Sequence, residues 1–130
     1  MLNSTARQNT APRTVLVVED EPTLATAIAQ RITAEGWTAR VAGDGASAVQ
    51  AALQLKPDLV IMDITMPNMD GLEALKAIRG KDGSANVVMC SAMGQESMVM
   101  DAVRSGAKDF IVKPFKPDRV LKTVTAILGG

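Results

Sequence analysis

From Arg13 onward the chain alternates two kinds of hydrophobic pattern. Short apolar runs recur at Val15–Val18, at Trp37–Ala42 in weaker form, at Leu59–Met62, at Val87–Cys90 and at Phe110–Val112. Runs of this length bounded by polar and turn-forming residues predict five β-strands. Between them apolar residues fall at helical spacing: Leu24, Ile28 and Ile32; Ala48, Val49, Ala52 and Leu53; Leu72, Leu75 and Ile78; Met98, Ala102 and Val103; Val120, Leu121, Val124, Ile127 and Leu128. Five helices alternating with five strands predict βα units around a parallel sheet. Four of the runs are continuously apolar, as expected of parallel strands covered on both faces by crossover helices. The pattern therefore predicts an α/β protein, an open (βα)5 sheet. Gly36, Gly80 and Gly106 read as helix stops, Pro57 precedes the third strand, and Asn68-Met69-Asp70-Gly71 reads as a turn before the third helix. Residues 1–12 are polar and end in proline, which predicts a flexible N-terminal tail and one domain over residues 13–130.

Composition narrows the chemistry. Fourteen basic and fourteen acidic residues give zero formal charge, which argues against a nucleic-acid or anionic-membrane binder working through a basic face. Histidine is absent and Cys90 is the single cysteine, which removes the usual general base, disulfides and Cys-rich zinc sites. The longest aliphatic stretches, of about four residues, fall far short of the ~18 that span a bilayer, and the N-terminus lacks a signal-type apolar region. A soluble, cytoplasmic protein is expected, with carboxylates, hydroxyls and lysines carrying its chemistry.

In an open parallel sheet the ligand site lies outside the carboxyl ends of the strands. Here the first strand ends in Glu19-Asp20-Glu21, the third in Asp63, the fourth in Ser91 and the fifth in Lys113. With the first and third strands adjacent, Glu19, Asp20 and Asp63 converge. Two like charges ~5 Å apart repel by about 3 kcal/mol at an effective dielectric near 20, so three carboxylates require a cation. Oxygen-only ligation selects a hard ion, and Mg²⁺ is the natural choice because it pairs carboxylates with phosphate oxygens. Lys113 then offers a positive charge and Ser91 a hydroxyl to a transferring phosphoryl group. An Asp among them can act as nucleophile and form an acyl phosphate.

Each residue also has an ordinary explanation. Glu19 and Asp20 could be a solvated turn before a helix, Ser91 a cap, Lys113 a surface lysine and Thr65 a turn residue. Asp63 directly follows an apolar run, where a carboxylate is costly unless used or paired. The coincidence at four strand ends favours the functional reading. Asp58, ~17 Å from Asp63 at ~3.3 Å per residue, lies at the wrong end of the third strand and should have no role in the chemistry. Asp44, Asp70 and Asp82 stand in Asp-Gly pairs and read as turns.

The motifs Val-Leu-Val-Val-Glu19-Asp20-Glu, Met-Asp63-Ile-Thr-Met-Pro-Asn-Met-Asp-Gly71, Cys-Ser91-Ala and Phe110-Ile-Val-Lys113-Pro-Phe115 together resemble the receiver domain of two-component response regulators. The resemblance covers about Arg13 to Leu128. It implies a flavodoxin-like fold with strand order 2-1-3-4-5, an order that the pattern alone does not give. It implies that Asp63 is the phosphoacceptor, that Glu19, Asp20 and Asp63 bind Mg²⁺ with the backbone carbonyl of Thr65, and that Lys113 binds phosphate through a cis Lys113–Pro114 bond. Ser91 matches the switch hydroxyl and Phe110 the switch aromatic. The family more often has Asp where Glu19 stands. The second half is similar in detail to chemotaxis regulators that act on the flagellar switch, whereas Val-Val-Glu-Asp-Glu-Pro-Thr-Leu and Val-Ala-Gly-Asp-Gly-Ala-Ser-Ala resemble receivers fused to DNA-binding domains.

The function so implied is a monomeric phospho-switch rather than an enzyme. A histidine kinase supplies the phosphoryl group, and the face made by the fourth helix, fifth strand and fifth helix binds a downstream target, the flagellar switch or a histidine phosphotransfer protein. The fourth helical segment carries Met98, Val99, Met100, Ala102 and Val103, more apolar positions than one buried stripe absorbs. Met98 and Met100 are therefore either core or part of an adaptable partner face. A phosphorelay intermediate fits the same residues. A metal-dependent phosphohydrolase of the haloacid-dehalogenase kind would need Asp where Thr65 stands. A flavin binder would need a phosphate-cradling loop where three acids follow the first strand.

Overall fold

The structure is a computed structural model that describes residues 13–66 and 69–129. Its elements follow in strict alternation: β1 (Thr14–Val18), α1 (Pro22–Ala34), β2 (Thr38–Ala42), α2 (Gly45–Leu55), β3 (Leu59–Asp63), α3 (Gly71–Lys81), β4 (Val87–Ser91), α4 (Glu96–Arg104), β5 (Asp109–Val112) and α5 (Pro117–Leu128). All four strand pairings are parallel, in the order β2-β1-β3-β4-β5. The expected tail over residues 1–12 and the Asn68 end of the expected turn lie outside the described residues. Among the described residues no helix is long and apolar enough to cross a membrane.

The continuous apolar runs divide their side chains between two cores, because successive strand residues point to opposite faces. Leu16, Val18, Val60, Met62, Val87 and Met89 pack with Ala48 and Ala52 of α2, Leu75 and Ile78 of α3, and Val99 and Ala102 of α4. Val15, Val17, Leu59, Ile61, Val88, Cys90 and Ile111 face the other way, onto Ile28 and Ile32 of α1 and Val120, Val124 and Leu128 of α5. At about 25 cal/mol per Å² of apolar area removed from water, these two layers supply the main favourable term in folding.

Double coverage holds for β1, β3 and β4 but not for β5. Phe110 and Val112 are both exposed, 40% and 44%, although their run is as apolar as the others. The reason is position: β5 is a sheet edge, and the nine-residue α4 leaves its outer face partly open. The other edge, β2, begins one residue after Trp37, which packs partly buried against the α1/α5 core instead of entering the strand.

Local chemistry also refines the punctuation. Gly36 and Gly106 follow their helices with φ of 93° and 103°, whereas Gly80 lies inside α3, which runs on to Lys81. Asp44 and Asp70 are helix N-caps as well as turn residues, accepting from the N–H groups of Ser47 and Glu73 at 2.8 and 2.9 Å; each such cap contributes about 1 kcal/mol. Asp82 accepts from both the backbone and hydroxyl of Ser84. Asp58, at the far end of the sheet, accepts from Thr14 N–H at 2.7 Å and so ties the start of β1. Arg13 likewise donates to the Leu128 carbonyl at 2.6 Å, joining the beginning of the domain to the end of α5.

Lys56, the C-cap of α2, is the one non-glycine among the described residues with positive φ, at 48°. A left-handed L-residue costs ~1–2 kcal/mol, and glycine gives back roughly 0.5–1 kcal/mol of that in unfolded-chain entropy. Lys56→Gly should therefore stabilise the chain by roughly 0.5–1 kcal/mol, read as a higher urea midpoint with an unchanged slope.

Candidate functional site

Strand order alone brings the candidate residues together. With β1 beside β3, β3 beside β4 and β4 beside β5, Glu19 and Asp20 follow β1, Asp63 ends β3, Ser91 ends β4, and Lys113 follows β5 on a single rim. The backbone continues the ladder past the strand ends: Ile64 N–H donates to the Cys90 carbonyl at 2.9 Å, and Lys113 N–H to the Ser91 carbonyl at 2.6 Å. The Lys113–Pro114 bond is cis, as the family resemblance implies.

At the centre of the rim the Lys113 ammonium donates to Glu19 Oε1 at 2.9 Å and to Asp63 Oδ2 at 3.0 Å. Both acids are buried, 4% and 5% exposed, while Asp20 beside them is exposed. Burial raises the Glu19 carboxyl above its ordinary range and the nearby Asp63 charge raises it further, with the Lys113 hydrogen bond acting against both. For Lys113 burial acts downward, but the hydrogen bonds to Glu19 and Asp63 outweigh it and hold the ammonium above its ordinary value. Two buried acids thus share one cation.

Glu19, Asp20 and Asp63 each place a carboxylate oxygen within 4.8 Å of the others. This donor set is all oxygen and carries three negative charges against one lysine, which fits a hard divalent cation such as Mg²⁺. Thr65, the fourth expected ligand through its carbonyl, has its N–H 3.3 Å from Asp63 Oδ1. Gly71 secures this corner. A Cβ there would collide with the Asp63 carbonyl and with Ile64, so only glycine lets the first turn of α3 close on the end of β3, where its N–H reaches the Ile64 carbonyl at 2.7 Å.

Ser91 is buried at the end of β4. Beyond it a groove of about 450 Å³ runs between α4 and β5, lined by Ser91, Val99, Met100, Val103, Phe110 and Val112. Phe110 lies at the groove, part exposed. The two methionines separate here: Met100 is 52% exposed in the groove, whereas Met98 is half-buried and packs against the α2–α4 core. A second, shallower basin lined by Glu21, Leu24, Met93 and Phe115 opens beside Lys113.

Hydrophobic patterning gives no sign of one further residue, Gln95. Its side chain accepts from Ala92 N–H at 2.6 Å and donates to Thr65 Oγ1 at 2.7 Å, linking the loops that follow β4 and β3. Only its place four residues beyond Ser91, on the same rim, could have marked it.

A family model described as the response regulator receiver domain matches residues 15–125. The chain is 49% identical to the chemotaxis protein CheY of Bacillus subtilis (strain 168) over 116 residues, which are 88% of this chain and 97% of that protein. It is 46% identical to the chemotaxis protein CheY of Thermotoga maritima over 114 residues, 87% of this chain and 95% of that one. Among solved structures, the CheX–CheY–BeF3–Mg²⁺ complex from Borrelia burgdorferi contains a chain that superposes with a TM-score of 0.87 at 38% identity, covering 94% of this chain and 93% of that chain.

Cys90 lies in the strand between Met89 and Ser91 yet faces the α1/α5 core. Burial, reinforced by the Asp63 charge, pushes its thiol up to about 12. Since the thiolate is the reactive form, the folded chain at pH 8 should be inert to a disulfide reagent such as DTNB. One equivalent should react on unfolding in guanidinium, a difference followed by absorbance.

Proposed function

The chain belongs to the response regulator receiver domain family, and on that premise we propose that it is a phosphorylation switch whose acceptor is Asp63. The observation that carries the reading is the pairing of Lys113 Nζ with both Asp63 and Glu19 at 3.0 and 2.9 Å, beside a third carboxylate. In the proposed step an Asp63 carboxylate oxygen forms a bond to the phosphorus of a phosphohistidine on a histidine kinase. The P–N bond breaks, and its electron pair returns to the imidazole nitrogen, which takes up a proton. Mg²⁺ held by Glu19, Asp20, Asp63 and the Thr65 carbonyl would neutralise the oxygens of the transferring group. Lys113 orients the acceptor carboxylate and offers its ammonium to a phosphoryl oxygen. On this reading the donor protein seats at the basin over Leu24, Met93 and Phe115, which opens beside Lys113.

Output on this reading is a population shift. The phosphoryl group carries ≈ −1.5 to −2 charge and three acceptor oxygens, and the Ser91 hydroxyl is a donor at the next strand end. Drawing Ser91 inward frees space for Phe110, which stands exposed at the groove, and alters the face of α4, β5 and α5. Met100 and Val103 beside Phe110 give that face an adaptable apolar surface. The chemotaxis-type relatives favour a flagellar-switch partner over a histidine phosphotransfer protein. A balanced net charge argues against binding nucleic acid or an anionic membrane through a basic face, and on this reading the protein is cytoplasmic and monomeric. Its self-catalysed phosphotransfer and slow dephosphorylation serve signalling rather than turnover of a metabolite.

Acetyl phosphate with Mg²⁺ should add one phosphoryl group to the chain, seen by intact mass. Asp63→Asn or EDTA should abolish the adduct; labelling that survives either change would refute the assignment.

Ser91→Ala should still be phosphorylated but lose most of the beryllofluoride-dependent change in affinity for its partner, whereas Asp58→Ala should retain the full response. Met100→Ala should weaken the partner complex while leaving phosphorylation intact, and the half-buried Met98 should act chiefly through stability. Titration calorimetry with and without beryllofluoride separates these outcomes.

A further inference from the structure

Gln95 belongs neither to the acidic cluster nor to the apolar groove, yet it touches the loops on both sides of Asp63. The orientation of its amide is fixed by its partners: Ala92 N–H can only donate, so it faces Oε1, and Nε2 is left to donate to Thr65 Oγ1. Thr65 stands two residues after Asp63, and Ala92 directly follows Ser91. Gln95 is also the N-cap residue of α4, and its side chain caps none of that helix's own N–H groups. The first turn of α4 is therefore tied to the site by two hydrogen bonds from a single side chain.

Three donors on this rim are already engaged. Lys113 Nζ already serves two carboxylates, Thr65 N–H leans on Asp63 Oδ1, and Ala92 N–H is spent on the neutral oxygen of Gln95. A phosphoryl group on Asp63 adds three charged acceptor oxygens at this point. A hydrogen bond to a charged oxygen is roughly twice as strong as one to a neutral amide, so Ala92 N–H gains by exchanging its partner.

We propose that Gln95 is a positioning residue whose side-chain amide latches the N-terminus of α4 to the two loops bordering Asp63, and that phosphorylation opens the latch by taking the Ala92 N–H. The inference rests on the reading of Asp63 as phosphoacceptor and adds to it a route from the phosphoryl group to α4 that does not pass through Ser91. Release of Gln95 from Ala92 leaves the helix N-terminus tied only through Thr65. The energy of the closed latch opposes the phosphorylated state, so weakening the latch favours that state.

The test is beryllofluoride affinity at saturating Mg²⁺, measured by titration calorimetry on the full chain. Gln95→Leu removes both bonds at similar volume and should bind beryllofluoride roughly threefold to tenfold more tightly, the worth of the one net hydrogen bond that opening would otherwise cost. Gln95→Glu keeps an acceptor on Ala92 N–H and adds a charge facing the anion, so its affinity should fall. Thr65→Ala removes only the Nε2 contact, which persists when the latch opens, and should leave beryllofluoride affinity near that of the wild type; Gln95→Met, which also removes both bonds at similar length, decides the matter if Gln95→Leu does not fold. Hydrogen exchange supplies a readout that packing alone would not move: the Ala92 amide should be protected in the unliganded wild type and lose protection in Gln95→Leu. Unchanged or weaker binding by the folded Gln95→Leu variant, or an unprotected Ala92 amide in the unliganded wild type, would overturn the latch while leaving Asp63 as acceptor. A wild-type chain that binds no beryllofluoride would overturn the acceptor reading and the latch with it.

Discussion

Everything at the functional rim depends on one lysine holding two buried carboxylates. Glu19 and Asp63 are each almost sealed from water, and removing a carboxylate from water costs several kcal/mol even after the protein relaxes. Side by side they also repel. Lys113 offsets both costs at once because its ammonium lies within 3.0 Å of each acid. It can do so only because the chain returns to the rim from β5, two strands away from β3, with its N–H fixed on the Ser91 carbonyl. The parallel order of the sheet is thus a condition of the site's electrostatics. A change that displaced β5 by a few ångströms would strand two charges.

Rigidity on the β1 and β3 side contrasts with openness on the β5 side. β1 and β3 are buried along both faces, and Gly71 lets α3 close directly onto the Asp63 carbonyl. Close packing of this kind responds to force as a unit and not by gradual deformation. At β5 the covering layer thins: Phe110, Val112, Met100 and Val103 all reach solvent. On the proposed reading the acceptor is held on the stiff part of the molecule, and apolar side chains with room to rearrange stand on the part that faces partners.

Most of the fold is legible in the sequence because its two signals are strong and do not conflict. Continuous Val, Ile, Leu and Met runs can only be strands buried on both sides or short core helices, and their length and spacing decide between the two. The departures have a common cause, which is that a sequence pattern carries no information on what lies alongside a strand. Phe110 and Val112 look as buried as Val87 and Val88, and only the sheet order makes them an edge. Gly80 looks like a helix stop because its neighbours Arg79 and Lys81 are polar in any case. The separation of Met98 from Met100 follows from the helix's rotation over the core, which its crowded apolar pattern leaves undetermined. Glu19, Asp20, Asp63, Ser91 and Lys113 could be grouped as one candidate site because parallel topology sends every strand end to the same rim. Gln95 was not, since an amide in a polar loop gains meaning only from the N–H and hydroxyl it meets. Asp58, set aside for its distance from the chemistry, has structural work at the other end of β1.

The distribution of donors and acceptors around Asp63 also sets the direction in which a signal can travel. On the β1 side stand Glu19 and Asp20, which as carboxylates offer acceptors and no donors. On the β4 and β5 side stand the Ser91 hydroxyl, the Ala92 N–H and the Lys113 ammonium, all donors. A phosphoryl group on Asp63 brings only acceptors, so on the proposed reading it repels the first group unless a divalent cation lies between and attracts the second without help. The net pull is toward the β4–α4 loop. A ligand shifts an equilibrium only by its differential interaction with the two states, and here that difference is concentrated on the loop that carries α4. On that reading the helix bordering the open groove is the one whose position the phosphoryl group changes, while α1 and α2, approached from the acceptor side, stay with their cores.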